Sequence, residues 1–353
     1  MNELNLSSYE YDLPKELIAQ KPQDKRDESR LLVLDRASGV VSHKIFSDMA
    51  GYLRPGDCLV MNRTKVVPAR LFGKKETGGK VEALFLDPAG IRPGLAAEAL
   101  LKPFIEPGKS INFPGGLKAF VENKTVSGGY VLRLEGADPL ETLSKYGLMP
   151  LPPYIKRKDV DGELSAFDRS RYQTVYAEED GSIAAPTAGL HFTDTLIDNI
   201  EAVGVSVVKI TLHVGWGTFR PVVSEDISKH TMLAESFEIS GDAAAALNAC
   251  RGAGGRVVAV GTTTVRALES AAGRAGFETD GFEPVKSETS IFIYPGHKFK
   301  AVGSMITNFH LPHSTPLAMV SAFAGRDRIL AAYAQAIKEK YRFYSYGDAM
   351  LIL

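Results

Sequence analysis

The segment Ala184-Ala185-Pro186-Thr187-Ala188-Gly189-Leu190-His191-Phe192-Thr193 holds a histidine at the mouth of a helix. Leu196, Ile197, Ile200 and Val203 follow at helical spacing, and Gly204 stands where that helix stops. Thr193 or Asp194 caps it. His191 therefore lies beside free backbone N–H groups and the positive end of a helix dipole, a place suited to a carboxylate or phosphate. The dipole lowers its pKa and favours the neutral imidazole, which accepts a proton near neutral pH. Thr187 and Gly189 belong to the turn that shapes this loop. The plainer alternative is an ordinary turn whose histidine bonds a carbonyl.

Three further segments have the same character. Residues 205–214 alternate as a strand, with Val208, Ile210, Leu212 and Val214 on one face and Lys209, Thr211 and His213 on the other. His213 thus comes near the strand's carboxyl end, where α/β folds carry their sites, unless it only bonds the next strand's backbone. The strand at 256–260 runs into Gly261-Thr262-Thr263-Thr264-Val265-Arg266. Gly261 permits a tight turn; Thr262, Thr263 and the first N–H groups of a helix then face outward, with Arg266 one turn along. That suits an anionic or ribose-like ligand, although the glycine spacing and lysine of a Walker or dinucleotide motif are absent. Simple capping, with Arg266 paired to Glu269 on the surface, is the competing reading. Thr307-Asn308-Phe309-His310-Leu311-Pro312-His313-Ser314-Thr315 ends a strand and opens a helix. Asn308 offers both donor and acceptor for a nucleobase edge, and His310 can move a proton; an Asx turn is the alternative. Carboxylate candidates are few. Asp168 and Arg169 precede Tyr172-Gln173-Thr174-Val175-Tyr176, and Glu235 closes His230-Thr231-Met232-Leu233-Ala234-Glu235. A lone carboxylate is usually a solvated one.

The elements that must position these residues fall into three textures. Residues up to about 54 contain one short strand at 31–34. From about 56 to 135 the apolar stretches are short and punctuated by Gly78-Gly79, Gly115-Gly116 and Gly128-Gly129, the pattern of hairpins in a small barrel. Beyond Asp138-Pro139, which opens a helix ending near Gly147, strands and helices alternate. Asp242 is expected to cap an alanine-rich helix; 256–260, 291–293 and 305–306 read as strands, 265–272 and 326–340 as helices, and 350–352 as a returning strand. The expected architecture is α/β: an open α/β-barrel-like core from residues 1–56 and 138–353 with a largely parallel sheet, and an inserted small antiparallel β-barrel domain at 57–137. Insertion is preferred because the strand at 31–34 has no partner if the N-terminal region stands alone.

The 353 residues carry a formal net charge of −1, so no global field draws the chain to nucleic acid. Lys25-Arg26, Lys156-Arg157-Lys158 and Arg169 with Arg171 are local patches that can touch a phosphate backbone, or solvated faces. The two cysteines, Cys58 and Cys250, have no metal-ligand spacing, which argues against zinc and a disulfide scaffold. The first 17 residues lack an apolar core and no run reaches membrane-spanning length, so a cytoplasmic protein without a membrane partner is expected.

Taken together the chain resembles the S-adenosylmethionine:tRNA ribosyltransferase-isomerase family of queuosine biosynthesis. The resemblance runs from Tyr11-Asp12-Leu13-Pro14 through Gly56-Asp57, 62–71, 149–155, 172–176, 184–193, 211–219, 261–270 and 307–312 to 341–353. It implies transfer and isomerisation of the ribosyl moiety of S-adenosylmethionine onto 7-aminomethyl-7-deazaguanine at a tRNA wobble position. Epoxyqueuosine-tRNA forms, and adenine and methionine leave. It implies no metal and no cofactor beyond S-adenosylmethionine as co-substrate. A sulfonium acidifies the C5′ protons, so the site needs a base, a proton donor for adenine and an anchor for the carboxylate. The candidate proton-transfer residues are His191, His213, His310 and Glu235. The candidate substrate-binding residues are Thr187, Gly189, Tyr172, Gln173, Thr262, Thr263, Arg266 and Asn308. Leu233 stands where many members carry histidine, Trp216 replaces a small residue, and His313 and Pro316 also depart from the pattern; an indole at 216 narrows the pocket or stacks on a base. The competing classes are a methyltransferase, whose glycine-rich opening motif is missing, and a non-catalytic tRNA-binding protein using the β domain as its platform.

Overall fold

The computed structural model describes residues 3–92, 94–125, 128–157, 163–219 and 222–353. Lys158 of the basic patch lies outside the described residues. Nine strands form one mixed sheet in the order Val285–Thr289, Glu235–Ile239, Ser206–Leu212, Cys58–Asn62, Val257–Val260, Ser304–Asn308, Ala349–Ile352, Arg30–Leu34 and Val41–Ile45. The strands from Ser206–Leu212 to Ser304–Asn308 run parallel, as do Arg30–Leu34 and Ala349–Ile352. The remaining four neighbour pairs are antiparallel, so the sheet is evenly mixed rather than largely parallel.

Residue alternation along these strands feeds two cores. Leu59, Met61, Val258, Val260 and Ile306 pack with Phe192, Leu196 and Ile200 of the Asp194–Ala202 helix side. Cys58, Val60, Val257, Ala259 and Met305 pack on the opposite face with side chains of Gly241–Gly252, Thr262–Ala272, Thr315–Ala324 and Arg326–Lys338. A strand covered on both faces needs a continuous apolar run, which Cys58-Leu59-Val60-Met61 supplies.

Arg70–Lys75, Lys80–Phe85, Ala96–Lys102, Ser110–Asn112, Leu117–Lys124 and Tyr130–Gly136 close into an antiparallel barrel around Leu71, Ala83, Phe85, Ala99, Ile111, Val121 and Leu132. Closure leaves no unpaired edge. Gly78, Gly115, Gly116 and Gly128 all take positive φ at its turns. The expected boundary at 57 moves. Cys58–Asn62 is a central strand of the large sheet and Thr64–Val66 pairs with Glu179–Ser182, so the barrel strands begin at Arg70. The short apolar runs there are alike in composition, and only pairing sorts them. Two further expectations shift. The edge strand is Val285–Thr289, not 291–293, and Ser240 rather than Asp242 caps the Gly241–Gly252 helix by accepting from the Ala243 N–H.

Candidate active site

A cavity of about 220 Å³ opens beyond the carboxyl ends of Val257–Val260 and Ser304–Asn308. These strands are parallel neighbours, with Val260 beside Ile306, so the loops that leave them emerge side by side. This is where ligands bind in open α/β sheets. Gly261, at φ +89°, turns the chain sharply into the Thr262–Ala272 helix and brings Thr262 and Thr263 to the cavity. Residues 184–188 and Val214 close it from one side, and Pro153, Tyr154, Tyr344 and Ser345 from another. Tyr154, Tyr172, Phe309 and Tyr344 form aromatic walls, and no Asp, Glu, Lys or Arg stands among the described lining residues. The Tyr154 hydroxyl lies 2.6 Å from Ser345 Oγ, and its ring centroid 4.8 Å from that of Tyr344. Burial raises the pKa of all three tyrosines, Tyr154 to about 12, so each stays neutral.

His310 faces this cavity with Nε2 2.6 Å from Thr307 Oγ1. Its backbone N–H donates to the Tyr333 hydroxyl at 3.0 Å and its carbonyl accepts from the Tyr11 hydroxyl. Desolvation pushes its pKa down to about 3, so the ring is neutral at pH 7. His313, held at φ +55°, also lines the cavity, and its Nε2 has no hydrogen-bond partner.

Asn308 stands in the back wall, with His191 packed behind it. The Asn308 Nδ2 donates to the Tyr344 carbonyl at 3.3 Å and lies 3.1 Å from His191 Nε2. A carbonyl only accepts, so Tyr344 fixes the amide's orientation and makes His191 Nε2 the acceptor. The proton of His191 then sits on Nδ1, which is 2.7 Å from Ser29 Oγ, and Ser29 Oγ donates to the Arg26 carbonyl at 3.2 Å. His191 is 5% exposed and lies behind the cavity wall, not on it. Its pKa is lowered to about 3, as expected in direction, but burial is the main cause, followed by the charges of Arg342 and Arg26. Both Asn308 N–H groups are occupied, whereas Oδ1 is a buried acceptor without a partner.

Of the residues picked from sequence, Thr187, Tyr172, Thr262, Thr263, Asn308 and His310 line the cavity. The others stand elsewhere. His213 points off the opposite face from Val214, its Nδ1 2.8 Å from Thr64 Oγ1, and burial lowers its pKa. The alternation that exposes Val214 to the cavity turns His213 away. Gln173 bonds both backbone groups of Val66, at 3.0 and 3.2 Å, in place of a neighbouring strand. Gly189 is a packing glycine: a Cβ there would meet the Tyr176 hydroxyl at 2.0 Å. Arg266 is a buried strut. It pairs with Glu235, not Glu269, and donates to the Ile291 and Thr289 carbonyls at 3.1 and 3.2 Å. Glu235 also accepts the Gly215 N–H at 2.8 Å, and Glu269 is taken up by His297 and the Lys300, Ala301 and Val302 N–H groups. Neither member of the Glu235–Arg266 pair is among the residues lining the main cavity. Trp216 packs on the barrel core and does not narrow the cavity. Arg157 is spent on a bidentate pair with Asp168, and Lys25 on a surface pair with Glu28.

Tyr154, Tyr344, Ser345 and His313 are among the cavity residues that are not candidate site residues in the sequence. The rigid Pro152-Pro153-Tyr154 connector was one available signal; nothing local marks Tyr344, whose φ of +71° is set by tertiary contacts. Among the described residues no group of three or more His, Cys, Asp or Glu is gathered to hold a metal ion, and no helix is long and apolar enough to cross a membrane.

The chain matches the queuosine biosynthesis protein family over residues 6–352. It is 50% identical over 353 residues to the S-adenosylmethionine:tRNA ribosyltransferase-isomerase of Caldanaerobacter subterraneus subsp. tengcongensis, covering 98% of this chain and 99% of that one. The enzyme of the same name from Symbiobacterium thermophilum is 50% identical over 360 residues, with 99% and 100% covered. The crystal structure of S-adenosylmethionine tRNA ribosyltransferase from Thermotoga maritima superposes with a TM-score of 0.55 at 34% identity, covering 98% of this chain and all of that one.

Proposed function

This chain belongs to the queuosine biosynthesis protein family, and we propose how its tyrosine-walled cavity serves the family's reaction. The chain acts as a tRNA ribosyltransferase-isomerase. It transfers and isomerises the ribosyl moiety of S-adenosylmethionine onto 7-aminomethyl-7-deazaguanine at the tRNA wobble position, releasing adenine and methionine.

The observation that carries the reading is the cavity's chemistry: aromatic faces, hydroxyls and the neutral His310 imidazole, with no Asp, Glu, Lys or Arg among its described lining. A sulfonium is a soft cation that tyrosine faces attract without the desolvation cost of an ion pair. Adenine stacks on the same walls. No Asp or Glu stands among the described lining residues, and we assign removal of the C5′ proton to His310. Thr307 orients its ring, and burial leaves it unprotonated at neutral pH while weakening it as a base. The imidazolium formed is a strong acid in this setting, so it gives its proton up readily, and the departing adenine is the acceptor at hand. Thr187, Thr262, Thr263 and Tyr172 contact the ribose and methionyl portions in this reading, and no metal takes part. The wobble base reaches the same cavity in a chain that works in the cytoplasm.

S-adenosylmethionine labelled in its ribosyl carbons, incubated with tRNA bearing the deazaguanine, should place label in the nucleoside and release adenine and methionine. Transfer of only a methyl group, with S-adenosylhomocysteine formed, refutes the reading in favour of a methyltransferase. RNA binding with no donor consumed would make the chain a binding protein. Dialysis against EDTA should leave turnover unchanged; inhibition that zinc reverses would overturn the metal-free step.

A further inference from the structure

With Arg266 buried in a strut, no Lys or Arg stands among the described lining residues of the main cavity to receive an oxyanion, yet both substrates carry one. Behind Asn308 lies a second, far smaller cavity of about 10 Å³, lined by Arg26, Arg171 and Arg342 together with Ser29, His191 and Ser345. Ser345 lines both cavities. The three arginines come from distant parts of the chain: the Arg26–Glu28 turn, the last residue of the Glu163–Arg171 helix, and the approach to the Ala349–Ile352 strand.

Backbone carbonyls hold each guanidinium in place. Arg26 donates to Leu190 and Ser170, both at 3.0 Å; Arg171 donates to Asp24 at 2.8 Å and to Gln23; Arg342 donates to Lys21 at 3.1 Å. Carbonyls orient a guanidinium but do not neutralise it. The described lining of this cavity holds no carboxylate. Asp348 approaches Arg342 Nε no closer than 3.8 Å, and its oxygens accept the Arg30 and Arg342 N–H groups at 3.0 and 2.7 Å. Arg171 Nε and Arg342 Nε and Nη2 are buried donors with no hydrogen-bond partner. Buried guanidinium N–H groups left unpaired are costly, and like charges gathered at one cavity add repulsion. The Arg26 pKa is lowered by burial and then by Arg171, and that of His191 by Arg342 and Arg26, which places the cations within each other's field. The Arg342 side chain is 27% exposed, so the cluster is open to a ligand.

We propose that Arg26, Arg171 and Arg342 form an oxyanion subsite beside the active-site cavity, taking either a backbone phosphate next to the wobble nucleotide or the methionyl carboxylate. Both groups present oxygens that match a guanidinium fork, which a lysine does not reproduce. His191 links the two sites: it touches the arginine cavity on one side and accepts from the Asn308 amide on the other.

The subsite rests on the function proposed above, and binding rather than turnover separates the two. Arg171→Gln and Arg342→Gln would be compared with wild type by calorimetry, using an anticodon stem-loop bearing the deazaguanine, S-adenosylmethionine, and a donor analogue without the carboxylate. A phosphate ligand gives an RNA Kd raised about tenfold or more, a salt dependence shallower by about one ion, and unchanged donor affinity. A carboxylate ligand gives a weaker donor Kd, with the variant no longer distinguishing donor from decarboxylated analogue. Folded variants that bind both substrates like wild type overturn the subsite. Wild type that binds neither substrate overturns the function reading instead. Should a Gln variant fail to fold, Arg342→Lys keeps the charge and loses the fork. It is expected to bind the affected substrate several-fold more weakly, and unchanged binding again refutes the proposal.

Discussion

At pH 7 neither His191 nor His310 carries a proton beyond its neutral tautomer, because burial holds both near pKa 3. A histidine whose folded pKa lies below its unfolded value of 6.5 takes up its proton on unfolding as the pH falls. Their contribution is therefore complete above pH 6.5 and is lost progressively as the pH falls from 6.5 toward about 3. Thermal melting from neutral pH to about 4 should show this loss, and either His→Asn variant should flatten it by about one proton. The two variants part on the same preparations. His310→Asn should melt near wild type yet turn over roughly a hundredfold more slowly, as when a general acid–base group is removed. His191→Ala leaves the Asn308 N–H unpaired, so it should lose about 1–3 kcal/mol of stability and keep most turnover per folded molecule. The reverse pattern would return the proton-transfer role to His191.

Strand-to-loop-to-helix junctions were readable because their punctuation is local. Gly261 before three threonines, Thr193 before an amphipathic run and Asp138 before Pro139 each produce the expected helix start, with Thr193 and Asp138 accepting from Leu196 and Glu141 N–H groups. What a junction's polar residues do was less readable. Arg266 sits on a helix face that proves to be the buried one, where it braces the Glu235–Ile239 strand, the Gly215 loop and the carbonyls of Thr289 and Ile291. Removing one partner strands the other charge in the interior. Arg266→Ala should then cost about 3–5 kcal/mol in urea denaturation, rather than a decade or two of ligand affinity in a stable protein. An Arg266→Met, Glu235→Gln double variant should recover part of it. A single variant of unchanged stability but weakened donor binding would restore Arg266 as an anchor.

The sheet and the barrel have separate cores; among the described residues, the barrel core takes Leu143, Ile183 and the partly buried Trp216 from beyond residues 69–137. We propose that they unfold as distinct units. Trp216 is the chain's one tryptophan and packs against the barrel core, whereas most helices cover the sheet. In urea the Trp216 fluorescence transition should differ in midpoint from the far-ultraviolet helical signal. Coincident transitions at every pH tested would show a single cooperative unit.

Composition, periodicity and turn residues were enough for the α/β class, the hairpin turns of a glycine-punctuated barrel, and the loops at strand ends that carry Thr187, Thr262 and Asn308. Those features depend on neighbours a few residues apart. Pairing decided the rest. Cys58–Asn62 reads like a barrel strand until it is seated between Ser206–Leu212 and Val257–Val260. Tyr154 meets Tyr344 and Ser345 across nearly two hundred positions, and Arg26, Arg171 and Arg342 share a cavity from three regions of the chain. One strand's two-residue alternation sends Val214 to the cavity and His213 away from it. A polar residue's type limits what chemistry it can do, but which face of its element is covered, and by what, is settled only when distant segments pack.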